Sequence, residues 1–310
     1  MTIGTTTVDT PFSGRARTGG LTERRGGHGR GPDVVLRRAR RLLLRTSIVI
    51  LVLVEVVPLL WLLISSFKTN SEFYTRPVWS LPKGLYFGNY VQAFTTGSMA
   101  IYLRNSAIAT FPALALTVLL SLAAAFTLEI MRWRGRNVVL LVFLSGIMIP
   151  AQMVLLPLFT IYFKIGLVNN LGSLVITYTA AGMPLSIFLL ATYYKSVPRE
   201  LLEAATIDGA SIYRVFWQIS IPIVRNAIIT VALVQFFFFW NDLLFSYTFI
   251  ASSNRLTVQT GLLAFTGQYG QVSWGPTFAA TCIAVFPTLA IYLVLNQRVI
   301  KGLTQGSLKG

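Results

Sequence analysis

Long, nearly unbroken apolar runs dominate the chain, in place of alternating or amphipathic patterns. Six of them are close to or longer than the about 20 residues a helix needs to cross a roughly 30 Å hydrocarbon core. They are Ser47–Ser66, Ser106–Leu128, Val138–Phe163, Leu171–Tyr194, Ile223–Phe249 and Thr277–Leu295. The pattern predicts an all-α, polytopic membrane protein with six transmembrane helices. Pro58, Pro112, Pro150, Pro157, Pro184 and Pro287 fall inside these runs. They predict kinks, which a packed membrane bundle tolerates because neighbouring helices re-satisfy the freed backbone groups.

Composition agrees, since 54% of the 310 residues are hydrophobic and only 12% charged, which excludes an ordinary soluble domain. The formal charge of +16, from 26 Lys and Arg against 10 Asp and Glu, would suggest nucleic acid in a soluble chain. Here its placement decides otherwise. With the N-terminus inside, the inner segments carry 20 basic residues and the outer ones 6, so both termini are expected to be cytoplasmic. Residues 1–45, rich in Gly, Thr and Arg, are expected to be a disordered basic tail, with residues 46–310 as the membrane domain. The run Arg37–Arg45 is expected to rest on anionic headgroups. No aromatic residue interleaves these arginines, which argues against nucleic acid. The tail lacks the short apolar core and cleavage site of a secretory signal, so the first span is expected to stay as an anchor. One Cys, Cys282, and one His, His28, cannot form a zinc site, a disulfide or a Cys-His catalytic pair.

Most inner loops are short, but the stretch from Lys195 to Pro222 carries its own helical pattern. Pro198, Glu200 and Glu203 suit a helix start, and Leu201, Leu202, Ala204, Ala205 and Ile207 form a compact apolar surface. Asp208-Gly209 reads as a turn, and Ser211–Ser220 as a second short helix before Pro222. A helical hairpin with small exposed residues suits docking in another protein's groove.

Glu203-Ala204-Ala205-Thr206-Ile207-Asp208-Gly209-Ala210, followed by Ile219-Ser220-Ile221-Pro222, resembles the EAA signature of permease subunits of binding-protein-dependent ATP-binding-cassette importers. Asn105-Ser106, Ile149-Pro150-Ala151-Gln152, Leu156-Pro157, Trp240-Asn241-Asp242 and the closing stretch from Gln297 to Gly310 are similar to the six-span maltose-type carbohydrate permeases. The resemblance covers residues 46–310 and implies the type I importer permease fold, a bacterial cytoplasmic-membrane location and no enzymatic activity. It implies four partners: a second permease forming a heterodimer, an ATP-binding subunit dimer that holds ATP and Mg, an extracytoplasmic solute-binding protein and a carbohydrate. It also makes the hairpin the coupling helix, with Glu203, Ala204, Ala205, Asp208, Gly209, Ala210 and Pro222 as its working residues, and gives Gly302–Gly310 a second ATPase contact. Glu203 and Asp208 would pair with basic residues of the ATPase, the alanines would allow close approach and Gly209 the turn. The chain itself has no Gly-Lys-Ser/Thr loop to cradle phosphate.

Polar residues at membrane depth are costly and face a cavity or a partner. Gln152, Asn241 and Asp242 could accept sugar hydroxyls, with Trp240 or Tyr247 stacking on a ring; hydrogen bonding between helices is the competing reading. Glu55 is expected to be structural, facing the companion permease. The outer segments Lys68–Leu103 and Ser252–Gly275 are candidate surfaces for the solute-binding protein. Glycerol-phosphate import is the alternative within the same machinery. An ion-coupled carrier lacks support because no inverted repeat is evident, and an enzyme because no acids and bases converge.

Overall fold

The computed structural model describes residues 32–265 and 272–307. The elements, in chain order, are α1 (Pro32–Ser65), α2 (Asn70–Thr75), α3 (Gly88–Thr95), α4 (Met99–Glu129), α5 (Arg136–Ser145), α6 (Ala151–Lys164), α7 (Leu171–Lys195) and α8 (Arg199–Ile207). There follow α9 (Ile212–Arg214), a π-wound stretch Val215–Ser220, α10 (Ile221–Ile223), α11 (Arg225–Trp240), α12 (Leu244–Phe249), α13 (Val258–Leu263) and α14 (Trp274–Ser307). Among the described residues, four helices are long and apolar enough to cross a membrane, and two bent pairs raise the number to six. The chain divides at Val56 into two units. In the first, α1 begins at Pro32, well ahead of the expected Ser47, so residues 32–45 are helical rather than disordered. Proline suits the first turn of a helix, and Leu and Arg propagate it. The composition of 1–45 is dominated by the Gly-rich residues 1–31, which lie outside the described residues. Leu42 to Val56, including Glu55, are exposed.

The second unit is built around α4 and α7. Both are apolar all round, so residue size selects the packed face. Ser106, Thr110, Ala113, Thr117, Ser121 and Ala125 form a stripe at spacings of three and four along α4, and all are buried. Small side chains let helix backbones approach where lipid supplies no hydrophobic drive. On α7, Gly182 serves the same end. A Cβ there would come within 2.8 Å of Phe239 Cζ and 3.0 Å of both Gln235 Oε1 and Thr117 Cγ2. We expect Gly182→Val to destabilise the bundle by about 1–3 kcal/mol, seen as loss of the monodisperse peak in size-exclusion chromatography.

Two of the expected spans are sharply bent. The run Val138–Phe163 is α5 and α6 meeting at 97°. The chain winds down through a 3₁₀ turn at Gly146–Met148, and Ile149 is extended (φ −81°, ψ 114°), as the residue before a proline prefers. Pro150 therefore ends one helix and starts another, whereas Pro58, Pro112, Pro157, Pro184 and Pro287 lie inside continuous helices. The run Ile223–Phe249 divides too: α11 meets the preceding arm Ile212–Ile223 at 75° and ends at Trp240 before α12 begins.

One end of this unit is tied by polar contacts. Asn105 Nδ2 donates to the carbonyls of Asn254 (2.9 Å) and Leu256 (3.0 Å), and Ser106 Oγ accepts from Val258 N (2.8 Å), so the Asn-Ser pair anchors α13 and the loop before it. Asn89 Nδ2 donates to the carbonyls of Ser66 (2.8 Å) and Lys68 (2.7 Å). Glu72 closes a capping box with Thr69. The backbone N–H groups of Lys83 (2.8 Å) and Thr69 (2.9 Å) hold its carboxyl below the usual carboxylate range. Burial pulls the Lys68 ammonium down, while its Nζ donates to Val78 O at 2.8 Å. Of the expected outer surface Ser252–Gly275, residues 266–271 lie outside the described residues.

Candidate functional site

Two sites follow from this scaffold, one at each end of the second unit. The first is the helical hairpin. α8 runs Arg199–Ile207, and Gly209 turns the chain with φ +81°. Asp208 N donates to Ala204 O (2.9 Å) and Ala210 N to Ala205 O (3.0 Å), which closes the helix C-terminus. Ser211 Oγ then accepts from Arg214 N (3.4 Å) and caps the second arm. The expected turn at Asp208-Gly209 is present. The second arm is not a plain α-helix, because six residues from Val215 to Ser220 wind as a π-helix. Pro222 has no N–H, and in an α-helix its ring would press on the carbonyl four residues back; the wider winding avoids this, with Ile221 N bonding Phe216 O.

The hairpin is welded to the spans. Leu202 and Val215 are buried in one cluster with Leu122 and Phe126 of α4, Tyr194 of α7 and Val231 of α11. Ser220 Oγ donates to Tyr194 Oη at 2.8 Å in the buried interior. Glu129 pairs with Lys195 at 3.6 Å and Glu203 with Arg132 at 3.9 Å. The Glu203–Arg132 pair is exposed on both sides and of the kind that contributes little stability, whereas Glu129 is nearly buried beneath its lysine; the hairpin's own position is set by the apolar cluster. The outward surface is bare: Ile207 is 85% exposed and Leu201 53%. Glu203, Ala204, Asp208, Gly209 and Pro222 are exposed, and Ala210 is half-buried beside Ala205.

The Tyr194–Ser220 bond was not legible in the sequence, since nothing there pairs the end of the fourth span with the foot of the fifth. Tyr194→Phe leaves the buried Ser220 hydroxyl without its partner and is expected to destabilise by about 1 kcal/mol, which adding Ser220→Ala largely restores. Thermal unfolding of the purified protein checks both.

The second site is a cavity of about 280 Å³ lined by Ala151, Tyr178, Gln235, Phe239, Asp242 and neighbouring residues. Tyr178 stacks on Phe239 with centroids 5.2 Å apart and planes at 6°, and its hydroxyl donates to Asp242 Oδ2 at 2.8 Å. Asp242 also accepts from Ser246 N (2.9 Å) and Phe245 N (3.3 Å), which starts α12. Gln235 Nε2 donates to Gly182 O and Ser186 Oγ, both at 3.0 Å. Trp240 is buried against Phe236, and its Nε1 donates to Ala284 O at 3.2 Å, so its ring faces are taken up by packing. Asn241 is exposed, donating to Phe237 O (2.9 Å) and accepting from Gln259 Nε2 (3.2 Å). Gln152 and Tyr247 are exposed and are not among the cavity's lining. Of the five expected pathway residues the structure thus brings only Asp242 to the cavity. Tyr178 and Gln235 were missed; Gln235 interrupts an apolar run and could have been flagged, whereas Tyr178 needed the tertiary pairing. Among the described residues no three of His, Cys, Asp and Glu cluster in a way that could hold a metal.

A bent-helix bundle with a protruding hairpin and a mostly apolar cavity holding Tyr178, Gln235 and Asp242 fits the class of membrane components that move solute. Residues 118–303 match the family described as the binding-protein-dependent transport system inner membrane component, and the chain belongs to that family. It is 33% identical to the diacetylchitobiose uptake system permease protein NgcG of Streptomyces coelicolor over 83% of this chain and 85% of that one. It is 30% identical to the trehalose/maltose transport system permease protein MalG of Thermococcus litoralis, over 87% of this chain and 98% of that one. A chain of a bacterial ABC transporter involved in importing the acidic polysaccharide alginate superposes with a TM-score of 0.75 at 19% identity, covering 84% of this chain and 96% of that chain, which bears on the fold alone. The protein is therefore a multi-pass inner-membrane transport component, not an enzyme, and family membership implies an ATPase and a solute-binding protein as partners.

Proposed function

We propose that the chain is the permease subunit of a carbohydrate importer driven by a separate ATPase, and that it forms half of the translocation pathway beside a second, different permease. The observation that carries this is the hairpin: an exposed, small-residue surface with the signature Glu203–Ala210, rigidly joined to α4, α7 and α11 by buried Leu202 and Val215. A push on such a lever moves the spans as bodies instead of bending the loop. In this reading Ala204, Ala205 and Gly209 allow close approach of the ATPase, Asp208 and Glu203 meet its basic residues, and Ala210 and Pro222 set the angle of the second arm. Glu203 exchanges its weak pair with Arg132 for the partner. ATP and Mg sit on the ATPase. The excess of basic residues in the hairpin, the loop before α5 and both terminal segments supports a cytoplasmic location for these and for both termini.

A carbohydrate is the cargo that the relatives support, since NgcG and MalG are named for diacetylchitobiose and for trehalose and maltose. The cavity offers an aromatic pair, Tyr178 and Phe239, beside Asp242, and its lining holds no Lys or Arg, which favours a neutral solute over a phosphate ester. Asn241, Gln152 and Tyr247 extend the route beyond the cavity, while Trp240 acts through packing. The exposed apolar side of α1, with Glu55 in it, faces the companion permease. Affinity purification through this chain from its native membrane and uptake of labelled disaccharides test the proposal. Recovery of a second permease, an ATPase and ATP-dependent disaccharide uptake is expected. Purification free of any ATPase, or uptake of glycerol phosphate alone, would overturn it.

A further inference from the structure

Beside the hairpin's second arm lies an apolar groove of about 310 Å³ between that arm and the end of α4, lined chiefly by Phe126, Thr127, Met131, Ile212, Tyr213 and Trp217. Its aromatic walls are open, with Tyr213 77% and Trp217 55% exposed. Two flanking residues are bonded to the lining itself. Trp133 Nε1 donates to Thr127 O at 3.1 Å, and Arg136 Nη1 lies 3.4 Å from Met131 O. Arg136 is half-buried, and neither it nor Arg214, the neighbour of Tyr213, pairs with a carboxylate among the described residues. Two carboxylates at this end are already paired with other cations: Glu129 with Lys195 and Glu203 with Arg132. The groove thus has an apolar floor, aromatic walls of the kind found at membrane interfaces, one arginine without a carboxylate partner, Arg136, against its lining, and a second, Arg214, next to Tyr213 in the chain.

We propose that this groove binds an anionic phospholipid of the inner leaflet, with an acyl segment along Phe126 and Trp217 and the phosphate between Arg136 and Arg214. The inference rests on the hairpin end facing the cytoplasm. Charge complementarity selects the occupant: an unpaired guanidinium half-buried at the end of a membrane helix is stabilised by a headgroup phosphate, and basic pockets between spans on the cytoplasmic side are known to hold anionic headgroups. A zwitterionic lipid satisfies the floor but adds no net charge for the arginines. Because the groove's two walls are α4 and the hairpin's second arm, the lipid braces the hairpin against the bundle. Coupling between ATP hydrolysis and uptake therefore falls when anionic lipid is removed.

The test uses the complete purified transporter in nanodiscs of phosphatidylcholine with or without phosphatidylglycerol. Native mass spectrometry reads retained phosphatidylglycerol, and a photo-reactive phenylalanine analogue at Tyr213 reads what touches the groove. Expected are preferential retention of phosphatidylglycerol, a lipid adduct at Tyr213, and retention about 30-fold weaker in Arg136→Gln/Arg214→Gln, since each arginine contributes about 1 kcal/mol. Arg136→Lys/Arg214→Lys, which keeps the charge and controls for folding, retains most of the lipid. Equal retention in the Gln and Lys variants, or a Tyr213 adduct on the ATPase or the second permease, overturns the proposal. The same probe at Ile207 reports separately on ATPase docking, so failure there overturns the coupling reading and leaves the lipid result standing.

Discussion

Gly209→Val is expected to leave the protein inserted and assembled yet to cut ATP-driven uptake by about tenfold or more. Gly209 holds φ +81°, and an added Cβ would meet nothing within 4 Å, so crowding is not the reason. The strain is in the backbone. A non-glycine residue in the left-handed region costs about 1–2 kcal/mol, with a β-branched residue at the upper end, enough to favour other turns by about tenfold or more. Another turn re-aims α8 relative to the arm that begins at Ser211. Leu202 and Val215 keep the hairpin's base in the core, so folding survives while the exposed face from Ala204 to Asp208 is misplaced. Gly209→Asn, whose short side chain tolerates this conformation, is expected to retain most of the uptake. Parallel assays of uptake and ATPase activity in proteoliposomes distinguish lost coupling from lost protein. Normal uptake by the Val variant at normal expression would remove the turn from the mechanism.

Asp242→Ala is expected to act first on stability. The carboxylate accepts from Tyr178 Oη, Ser246 N and Phe245 N, so truncation strips the start of α12 of its cap and strands a hydroxyl inside the bundle. Together these amount to about 3 kcal/mol, visible as a lowered unfolding temperature and a smaller yield of intact complex. Asp242→Asn keeps an acceptor for Tyr178 and is expected to assemble. Uptake by that variant then isolates the carboxylate's role towards solute: assembled protein with impaired uptake assigns Asp242 to the pathway, and unimpaired uptake assigns it to packing. Tyr178→Phe, which keeps the ring stack on Phe239 and removes only the hydroxyl, gives the corresponding answer from the other side of the pair.

The membrane class and the hairpin were legible because both depend on local pattern. Apolar runs of span length admit few soluble alternatives, and the left-handed requirement at residue 209 is written in the Asp-Gly dipeptide. Direction was not legible. Hydropathy registers that Val138–Phe163 is apolar throughout, but not that Ile149, extended ahead of Pro150, turns the chain through 97°. Nor does the proline count predict the outcome, since Pro112 and Pro184 stay within unbroken helices whose neighbours hold them. Trp240 shows the same limit for side chains. In sequence it stands beside Asn241 and Asp242 and looks like a ring for stacking on sugar, yet the helix turns it onto Phe236 and Ala284 while Tyr178, 64 residues earlier, takes the place beside Asp242. The start of the first helix was not legible for a related reason, because the helix that begins at Pro32 is continuous with the apolar segment after it.

Site-directed cross-linking from the hairpin tip tests the mechanical link most directly. Ile207→Cys in a Cys282→Ser background, within the assembled transporter, presents a thiol at the most exposed hydrophobic side chain of the hairpin. A short bifunctional reagent is predicted to join it to the ATPase subunit, with the yield changing when ATP is added. A thiol that reacts instead with a membrane-impermeant maleimide applied from outside the cell, and never joins the ATPase, would contradict the role of the hairpin as the receiver of its motion.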